Sequence, residues 1–320
     1  MRLLLAALAL AVPLSLLAGR VWIDPLAGQS AEATLILVEL RAPRAVLALV
    51  LGAGLGAAGA AMQGYLRNPL ADPGLFGIAP SAALGAVLSL SLGLTAGWAL
   101  PAFALAGAAG AMALLSALSG RADDAVGGGI ALFTLAGMMI ASLSGAVMSL
   151  MISLAPTPFA MSEIVTWLMG ALADRSWREV WIAAPLTLAG LGLLHRAGRG
   201  LDALTLGEAA ARSLGIDARR LQLLLVAGIG LTVGASVAVA GIIGFVGLMV
   251  PHFVRPLTDR RPSSLLVPSA LAGALLLLLA DVVCRVLPLT GGELRLGIAL
   301  SLVGAPFFLL LLVRMRRGLA

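Results

Sequence analysis

Apolar runs of about 20 residues recur from one end of this chain to the other, and they restrict its fold more than any other feature. A helix of that length crosses the hydrocarbon layer of a membrane, whereas a membrane barrel needs short segments of alternating polarity, which the chain lacks. Hydrophobic residues make up 61% of the 320 residues and charged residues 11%, and a soluble domain could not cover so much apolar surface. The sequence therefore predicts an all-α membrane protein, a polytopic bundle of about ten transmembrane helices.

The predicted spans belong to a single transmembrane domain that covers residues 1–320. The first run is also compatible with a signal peptide that ends near Ala18. The eighth run is interrupted by Pro251 and by several glycines. An even number of spans places both termini on the same side of the membrane. The predicted spans are 3–22, 45–65, 75–94, 97–118, 127–152, 178–196, 221–239, 241–256, 265–284 and 296–313.

The chain contains no lysine, so arginine supplies all 21 basic residues and the net charge of +6. Arginines that flank apolar runs are typical of membrane proteins, and nucleic acid is not expected as a partner. With the termini inside, most arginines fall on the inner side, which predicts that both termini are cytoplasmic. A polar outer segment is predicted at 23–44. The arginines that fall on the outer side are Arg20, Arg41, Arg44, Arg175, Arg178, Arg285 and Arg295.

Several function classes are disfavoured by what the chain lacks. A phosphate-binding P-loop needs a lysine, so the chain is not expected to hydrolyse ATP in that way. Two histidines are too few for a histidine-built metal site, and the single Cys284 excludes an intrachain disulfide. The predicted spans are nearly free of acids, since Asp281 and Glu293 lie near outer ends, so a proton or sodium relay lacks its groups. We therefore predict no enzyme activity, no cofactor and no bound metal.

The inner segment 197–220 is too polar for the lipid and is patterned like a helix. Thr205 and Glu208 have the spacing of a capping box, Gly215 lies where a C-cap glycine belongs, and Asp217 can cap the following span. The pattern predicts a short helix over 206–214. Such a helix is suited to bind a soluble partner, although a structured loop without a partner is also compatible with the pattern.

Small residues recur about every four positions on three predicted spans and so share one helix face. Such faces let membrane helices approach closely, either within one subunit or between subunits, or they line a pathway. The first face is Gly52, Gly56, Ala60 and Gly64; the second is Gly137, Ala141, Gly145 and Ser149; the third is Gly297, Ser301 and Ala305.

Six motifs stand in a fixed order along nearly the whole chain. They are RAPR at 41–44, GAAMQGYLRNPLADPGLFGI at 59–78, LGEAAARSLGI at 206–216, GFVGLMVPHFVR at 244–255, LADVVCR at 279–285 and ELRLGIALSLVGAPFF at 293–308. In this order they resemble the permease subunits of bacterial binding-protein-dependent ABC importers for iron-siderophores, haem and vitamin B12, often called the FecCD type.

The resemblance implies a homodimer in the bacterial inner membrane, with the translocation path between the subunits. Two ATP-binding subunits would bind the cytoplasmic side, and a periplasmic substrate-binding protein would bind the outer side. In this family the fifth and tenth helices line the dimer interface, which implicates the second and third small-residue faces. The inner helix would couple to the ATPase, through Thr205, Leu206, Gly207, Glu208, Ala210, Ser213, Leu214 and Gly215.

The resemblance also assigns a role to three of the outer arginines. Arg41, Arg44 and Arg285 match family positions that pair with acids of the binding protein, so we expect them to be exposed; anchoring in lipid headgroups is the alternative. The expected substrate is an iron-siderophore, then haem, then cobalamin, carried by alternating access. A self-contained secondary transporter or channel is the alternative function.

Overall fold

The computed structural model describes residues 1–19, 22, 31–119, 129–287 and 292–317. All regular elements in these residues are helical, which confirms the predicted all-α bundle. The helices are α1 (Arg2–Leu17), α2 (Ala31–Tyr65), α3 (Ile78–Ser91), α4 (Ala99–Ser119), α5 (Gly129–Ser153), α6 (Pro158–Leu168), α7 (Trp177–Leu204), α8 (Glu208–Ser213), α9 (Ala218–Ala240), α10 (Val246–Val254), α11 (Pro262–Val286) and α12 (Leu296–Arg317).

Seven of these helices are long and apolar enough to cross a membrane, namely α2, α4, α5, α7, α9, α11 and α12. The apolar helices α1 and α3 are shorter. Arg44 lies toward the start of α2, and the last residue of α2, Tyr65, lies near Glu208 of α8. Arg44 and α8 are therefore at opposite ends of the bundle. We call them the outer end and the inner end, the names that the arginine distribution suggests.

The second half of the predicted outer segment 23–44 is helical, because α2 already begins at Ala31. A π-helical stretch, Ile36–Arg41, adds an extra residue to a turn there. The carbonyl of Val38 in this stretch accepts a hydrogen bond from Trp177 Nε1 at 3.0 Å. The prediction began the span at 45 because Arg41 and Arg44 are charged. In the structure both arginines have partners inside the protein. Residues 23–30 lie outside the described residues.

The bundle core is built by close backbone contacts of α2 with α10 and α11. A Cβ added to Gly59 would overlap the carbonyl oxygen of Gly247, and one added to Gly56 would overlap that of Ser269. Gly52 and Gly273 exclude each other's Cβ in the same way. These contacts confirm the predicted close packing of the first small-residue face, and they place it within one subunit.

The eighth predicted span, 241–256, is wrong as a complete crossing. Gly241 has a φ of +73° and ends α9, and Phe245 has a φ of +66°, so the backbone between them is not helical. The helix that follows, α10, has nine residues and is about 14 Å long, roughly half a crossing. The break leaves the carbonyl of the buried Ala240 without a helical donor, and this carbonyl accepts a hydrogen bond from Ala171 N–H at 2.8 Å instead.

One helix was absent from the prediction. Thr157 Oγ1 accepts a hydrogen bond from Ala160 N–H at 3.1 Å and starts α6, with Pro158 in the first turn. The sequence Thr-Pro is a normal helix start, but the prediction read this stretch only as a connection between spans.

Candidate functional site

The short inner helix α8 begins later than the sequence predicts. Thr205 does not cap it; its hydroxyl donates to the carbonyl of Asp202 at 2.7 Å and completes the last turn of α7. The residue at the N-cap position is Gly207, whose φ of +100° is open to glycine and strained for other residues. The predicted capping box between Thr205 and Glu208 is therefore wrong, because α7 runs eight residues beyond the predicted boundary at 196.

The end of α8 is formed as predicted. Gly215 has a φ of +80°, and its N–H donates to the carbonyl of Arg212 at 2.9 Å. The N–H of Ile216 reaches the carbonyl of Ala211 at 3.1 Å, which completes a Schellman motif. Asp217 Oδ1 then accepts from Arg220 N–H at 3.0 Å and caps α9. A tight C-cap followed at once by an N-cap fixes α8 relative to the bundle.

The surface of α8 presents apolar side chains outside the spanning helices. Leu206 is 67% exposed and Leu214 is 62% exposed, whereas Ala211 is buried against the bundle. Arg212 is also exposed. Exposed leucines beside charged groups at the end of a bundle are typical of a protein interaction site. The other predicted coupling residues also lie on this surface: Gly207, Glu208 and Ala210 are half-buried, and Thr205, Ser213 and Gly215 are exposed.

A hydrogen-bond network connects α2 to α10 at the inner end. Arg255 Nη2 donates to Gln63 Oε1 at 2.7 Å, and Gln63 Nε2 donates to the carbonyl of Leu248 at 3.2 Å. Burial lowers the pKa of the Arg255 guanidinium, and the nearby Arg260 lowers it further. His252 Nε2 lies 2.8 Å from the carbonyl oxygen of Pro69 and ties the 66–77 connection to α10.

The start of α11 is fixed to the end of α7. Asp202 Oδ1 accepts from Ser263 N–H at 2.9 Å, and its Oδ2 accepts from the Ser263 hydroxyl at 2.6 Å. Since only residues 205–207 separate α8 from α7, a force on α8 would reach both α7 and α11.

The outer end contains a buried ion cluster, which we call the outer ion cluster. Arg44 Nε donates to Asp281 Oδ1 at 2.8 Å and to Oδ2 at 3.0 Å, and its Nη2 also lies 2.8 Å from Oδ1. The same Nη2 lies 2.8 Å from Glu293 Oε2. Arg285 Nη2 lies 3.5 Å from Asp281 Oδ2. The cluster consists of Arg41, Arg44, Asp281, Arg285 and Glu293.

Two arginines of the outer ion cluster bind the last turn of α1. Arg41 Nη1 donates to the carbonyls of Leu16 and Leu17, each at 2.8 Å, and Arg285 Nη2 donates to that of Ser15 at 3.1 Å. The last carbonyls of a helix lack partners within it and carry partial negative charge, so guanidinium groups stabilise them.

The expectation that these arginines are exposed is wrong. Arg41 is 8% exposed, Arg44 9% and Arg285 5%. The prediction read them as charges outside the fold because pairing across the chain is invisible in a sequence. The spacing of Asp281 and Arg285, four residues apart on one helix, was a signal for the pair.

A second group of charges lines a separate cavity between α6, α7 and the connection of α3 to α4. Arg178 Nε pairs with Glu179 Oε1 at 3.0 Å, and Trp167 and Arg175 lie in the same lining. Burial lowers the pKa of the Arg175 guanidinium, which the Glu179 carboxylate partly opposes.

Each of the two predicted interface faces has some residues in the interior of the subunit and others on its surface. Gly137 packs on the backbone at Leu75, and Gly297 packs on the carbonyl of Met169, so both are used within the subunit. A Cβ on Gly145 would meet nothing within 4 Å. Ala141 is half-buried, and Ser149, Ser301 and Ala305 are exposed. A residue the prediction missed, Gly304, lies against the ring of Phe245 and seats α12 on the break after α9.

Residues 4–314 match the FecCD transport family. The chain belongs to this family. The vitamin B12 import permease BtuC of Pectobacterium atrosepticum is 40% identical over 319 residues, which cover 98% of this chain and 93% of that protein. BtuC of Citrobacter koseri is 38% identical over 312 residues, covering 96% and 92%. YvrB of Bacillus subtilis, an uncharacterised ABC transporter permease, is 40% identical over 289 residues, covering 89% and 80%.

Two solved structures have a fold similar to that of this chain. A structure described as an inward-facing metal-chelate type ABC transporter superposes with a TM-score of 0.88 at 30% identity, covering 97% of both chains. PsaBC from Streptococcus pneumoniae, solved with a Fab, has a TM-score of 0.52 at 18% identity and shares the fold alone. The FecCD chain is thus a membrane permease of the ABC importer type, as the six motifs predicted.

Proposed function

We propose that this FecCD permease imports a cobalamin-type metal chelate in an ATP-driven complex. The observation that carries the proposal is the match to BtuC proteins along more than 90% of both chains. This support reverses the order expected from the motifs, which placed an iron-siderophore first. A large chelate needs a wide path, and a path between two subunits supplies one without a cavity inside either.

The second subunit is a copy of this chain. On α5 and α12, Gly145, Ser149, Ser301 and Ala305 leave small-residue surface without an internal neighbour. Membrane helices associate through such surfaces because their backbones approach closely. We therefore place α5 and α12 at the dimer interface, beside the path.

The energy comes from two ATP-binding subunits at the inner end. The chain has no lysine for a P-loop, while α8 offers an ordered docking element with Leu206 and Leu214 exposed. The inner end then faces the cytoplasm, both termini lie on that side, and the membrane is the bacterial inner membrane. A periplasmic substrate-binding protein docks at the outer end, where Arg41, Arg44 and Arg285 lie.

Substrate identity is tested by uptake into proteoliposomes that contain this chain, the ATP-binding subunit and the binding protein encoded beside it. Radiolabelled cyanocobalamin is expected to accumulate with ATP, and a tenfold excess of unlabelled cobalamin should abolish the signal. Ferrichrome and haemin at the same excess should leave it unchanged. Accumulation of labelled ferrichrome or haem instead, with cobalamin inert, would replace the proposed substrate.

A further inference from the structure

A cavity of about 230 Å³ at the outer end contains opposite charges that do not pair with each other. It lies between α6, the start of α7, the end of α9 and the connection of α3 to α4, and both Arg175 and Glu163 are in its lining. We call it the outer cavity. Its lining also includes Leu90, Thr95, Gly97, Trp167, Arg178 and Val239.

The Arg175 guanidinium lacks an acceptor in the part of the chain that the structure describes. Its Nε is buried without a hydrogen-bond partner, and no described carboxylate lies within ion-pair distance. The nearby Glu179 carboxylate is already occupied. Its Oε1 lies 3.0 Å from Nε and Nη2 of Arg178, and its Oε2 accepts from the N–H and the hydroxyl of Ser176, each at 2.8 Å. A half-buried guanidinium without an acceptor is costly, so the cavity favours an anionic ligand.

Glu163 supplies the opposite charge in the same lining. It is an exposed residue of α6, and its carboxylate forms no hydrogen bond or ion pair with the described residues. A ligand with an anionic and a cationic group would therefore pair with both Arg175 and Glu163. The cavity is smaller than the roughly 300–1,000 Å³ of pockets for drug-sized ligands, and it is large enough for a phosphate joined to a short amine.

The surroundings of the outer cavity indicate that such a ligand comes from the membrane. Trp98, which follows Gly97 of the lining, is 59% exposed, and Trp181 on α7 is 71% exposed. Exposed tryptophans are typical of the headgroup level of a bilayer. Leu92 and Leu94, on the connection of α3 to α4, are 58% and 45% exposed. These apolar side chains offer a surface to acyl chains, which a soluble phosphate compound would not use.

We propose that the outer cavity binds a phospholipid whose headgroup joins a phosphate to a primary ammonium, as in phosphatidylethanolamine. The phosphate pairs with Arg175, and the ammonium pairs with Glu163. The bound headgroup then connects α6 to the start of α7 and to the connection of α3 to α4. This site goes beyond the proposed function, because it does not depend on which chelate is carried.

The headgroup is tested by native mass spectrometry of the delipidated full chain in detergent, titrated with one lipid at a time. Phosphatidylethanolamine should bind about three- to tenfold more tightly than phosphatidylcholine, because a trimethylated ammonium cannot donate a hydrogen bond to Glu163. Phosphatidylglycerol, which has no ammonium, should also bind more weakly. Equal or tighter binding of either lipid would overturn the assigned headgroup. Glycerophosphoethanolamine has the same headgroup without acyl chains, and equal affinity for it would overturn the lipid source in favour of a soluble phosphate compound.

The two charged residues are tested by substitution in the same titration. Arg175→Gln should weaken phosphatidylethanolamine binding about tenfold, and Arg175→Lys, which keeps the charge, should retain most of the affinity. Glu163→Gln should remove the preference for phosphatidylethanolamine over phosphatidylcholine.

Two exposed residues provide matched controls: Arg196→Gln near the inner end of α7 and Glu39→Gln on α2 at the outer end. Both controls should bind phosphatidylethanolamine like the wild type. Arg175→Gln that binds as tightly as Arg196→Gln would overturn the phosphate site. A lipid preference that survives in Glu163→Gln would overturn the ammonium site.

Discussion

At the scale of single residues, burial of the outer ion cluster determines which substitutions of its arginines can be interpreted. Arg41 and Arg285 hold the end of α1, and Arg44 is the shared donor of two carboxylates. Reversing Arg44 to Glu would bring three carboxylates together in a buried place, so loss of function there would report misfolding rather than docking.

Asp281→Asn should destabilise the protein strongly. The carboxylate is 1% exposed and is the shared acceptor of Arg44 and Arg285, so its loss leaves buried positive charge unpaired. We expect a loss of about 3–5 kcal/mol in the free energy of unfolding, measured by SDS titration in mixed micelles. Asp259→Asn is the control, because its pair with Arg261 is largely exposed, and it should shift the same midpoint very little. Equal shifts in the two variants would contradict this account of the cluster.

Gly59→Ala should also destabilise, for a steric reason. Its Cβ would overlap the carbonyl oxygen of Gly247, so α2 and α10 would have to separate, at about 1–3 kcal/mol or more. Gly192→Ala on α7 meets nothing within 4 Å and should be neutral or slightly stabilising, because alanine favours a helix. The free energy of unfolding in mixed micelles distinguishes the two variants. An unchanged free energy of unfolding in Gly59→Ala would contradict the close contact of α2 with α10.

At the scale of helices, α8 connects its exposed surface to two long helices. Only residues 205–207 separate it from α7, and Asp202 at the end of α7 holds the start of α11. A partner that moves α8 would therefore move elements on both sides of α2.

Arg212→Pro should uncouple the complex. Proline at 212 removes a donor from a helix of six residues and clashes with the preceding turn, so α8 should unfold. ATP-dependent transport in proteoliposomes should fall at least about tenfold, while membrane insertion stays normal. Arg212→Ala removes the charge alone and should retain most of the activity. Transport by Arg212→Pro at the level of Arg212→Ala would remove α8 from the coupling path.

The existence of the long helices was predictable from the length of the apolar runs, whereas most helix boundaries were not. The Schellman glycine Gly215 and the cap Asp217 were correctly predicted because both signals are local. Thr205 was misread since the sequence cannot show that α7 continues past Arg196. The start of α2 was misread for a related reason: Arg41 and Arg44 look too polar for a buried helix until their partners are known. Those partners are on other helices, 25 residues away for Arg41 and 237 residues away for Arg44.

At the scale of the whole molecule, our proposal is that a second copy completes the transporter. The described charged side chains that are buried, Arg41, Arg44, Glu179, Asp281 and Arg285, all lie toward the outer end and not along a path through the middle. Small-residue surface on α5 and α12 has no partner among the described residues of the chain. Both features fit a pathway completed by a second copy.

Association of two copies is tested by a bulky change on the open face. Gly145→Trp should weaken the dimer, because the backbones could no longer approach, whereas Gly192→Trp, also in open space but on α7, should not. Native mass spectrometry from detergent measures the dimer fraction. A dimer that survives Gly145→Trp but is lost in Gly192→Trp would place the interface on α7.

The most direct test of the claim that this chain is the permease of an ATP-driven importer is to measure which energy source drives uptake. Proteoliposomes that contain only this chain should show no ATP hydrolysis and no cobalamin uptake, with or without an imposed proton or sodium gradient. Adding the ATP-binding subunit and the binding protein should produce uptake that requires ATP and stops when ATP is exhausted. Uptake by the chain alone, driven by an ion gradient, would contradict the account and identify a secondary transporter.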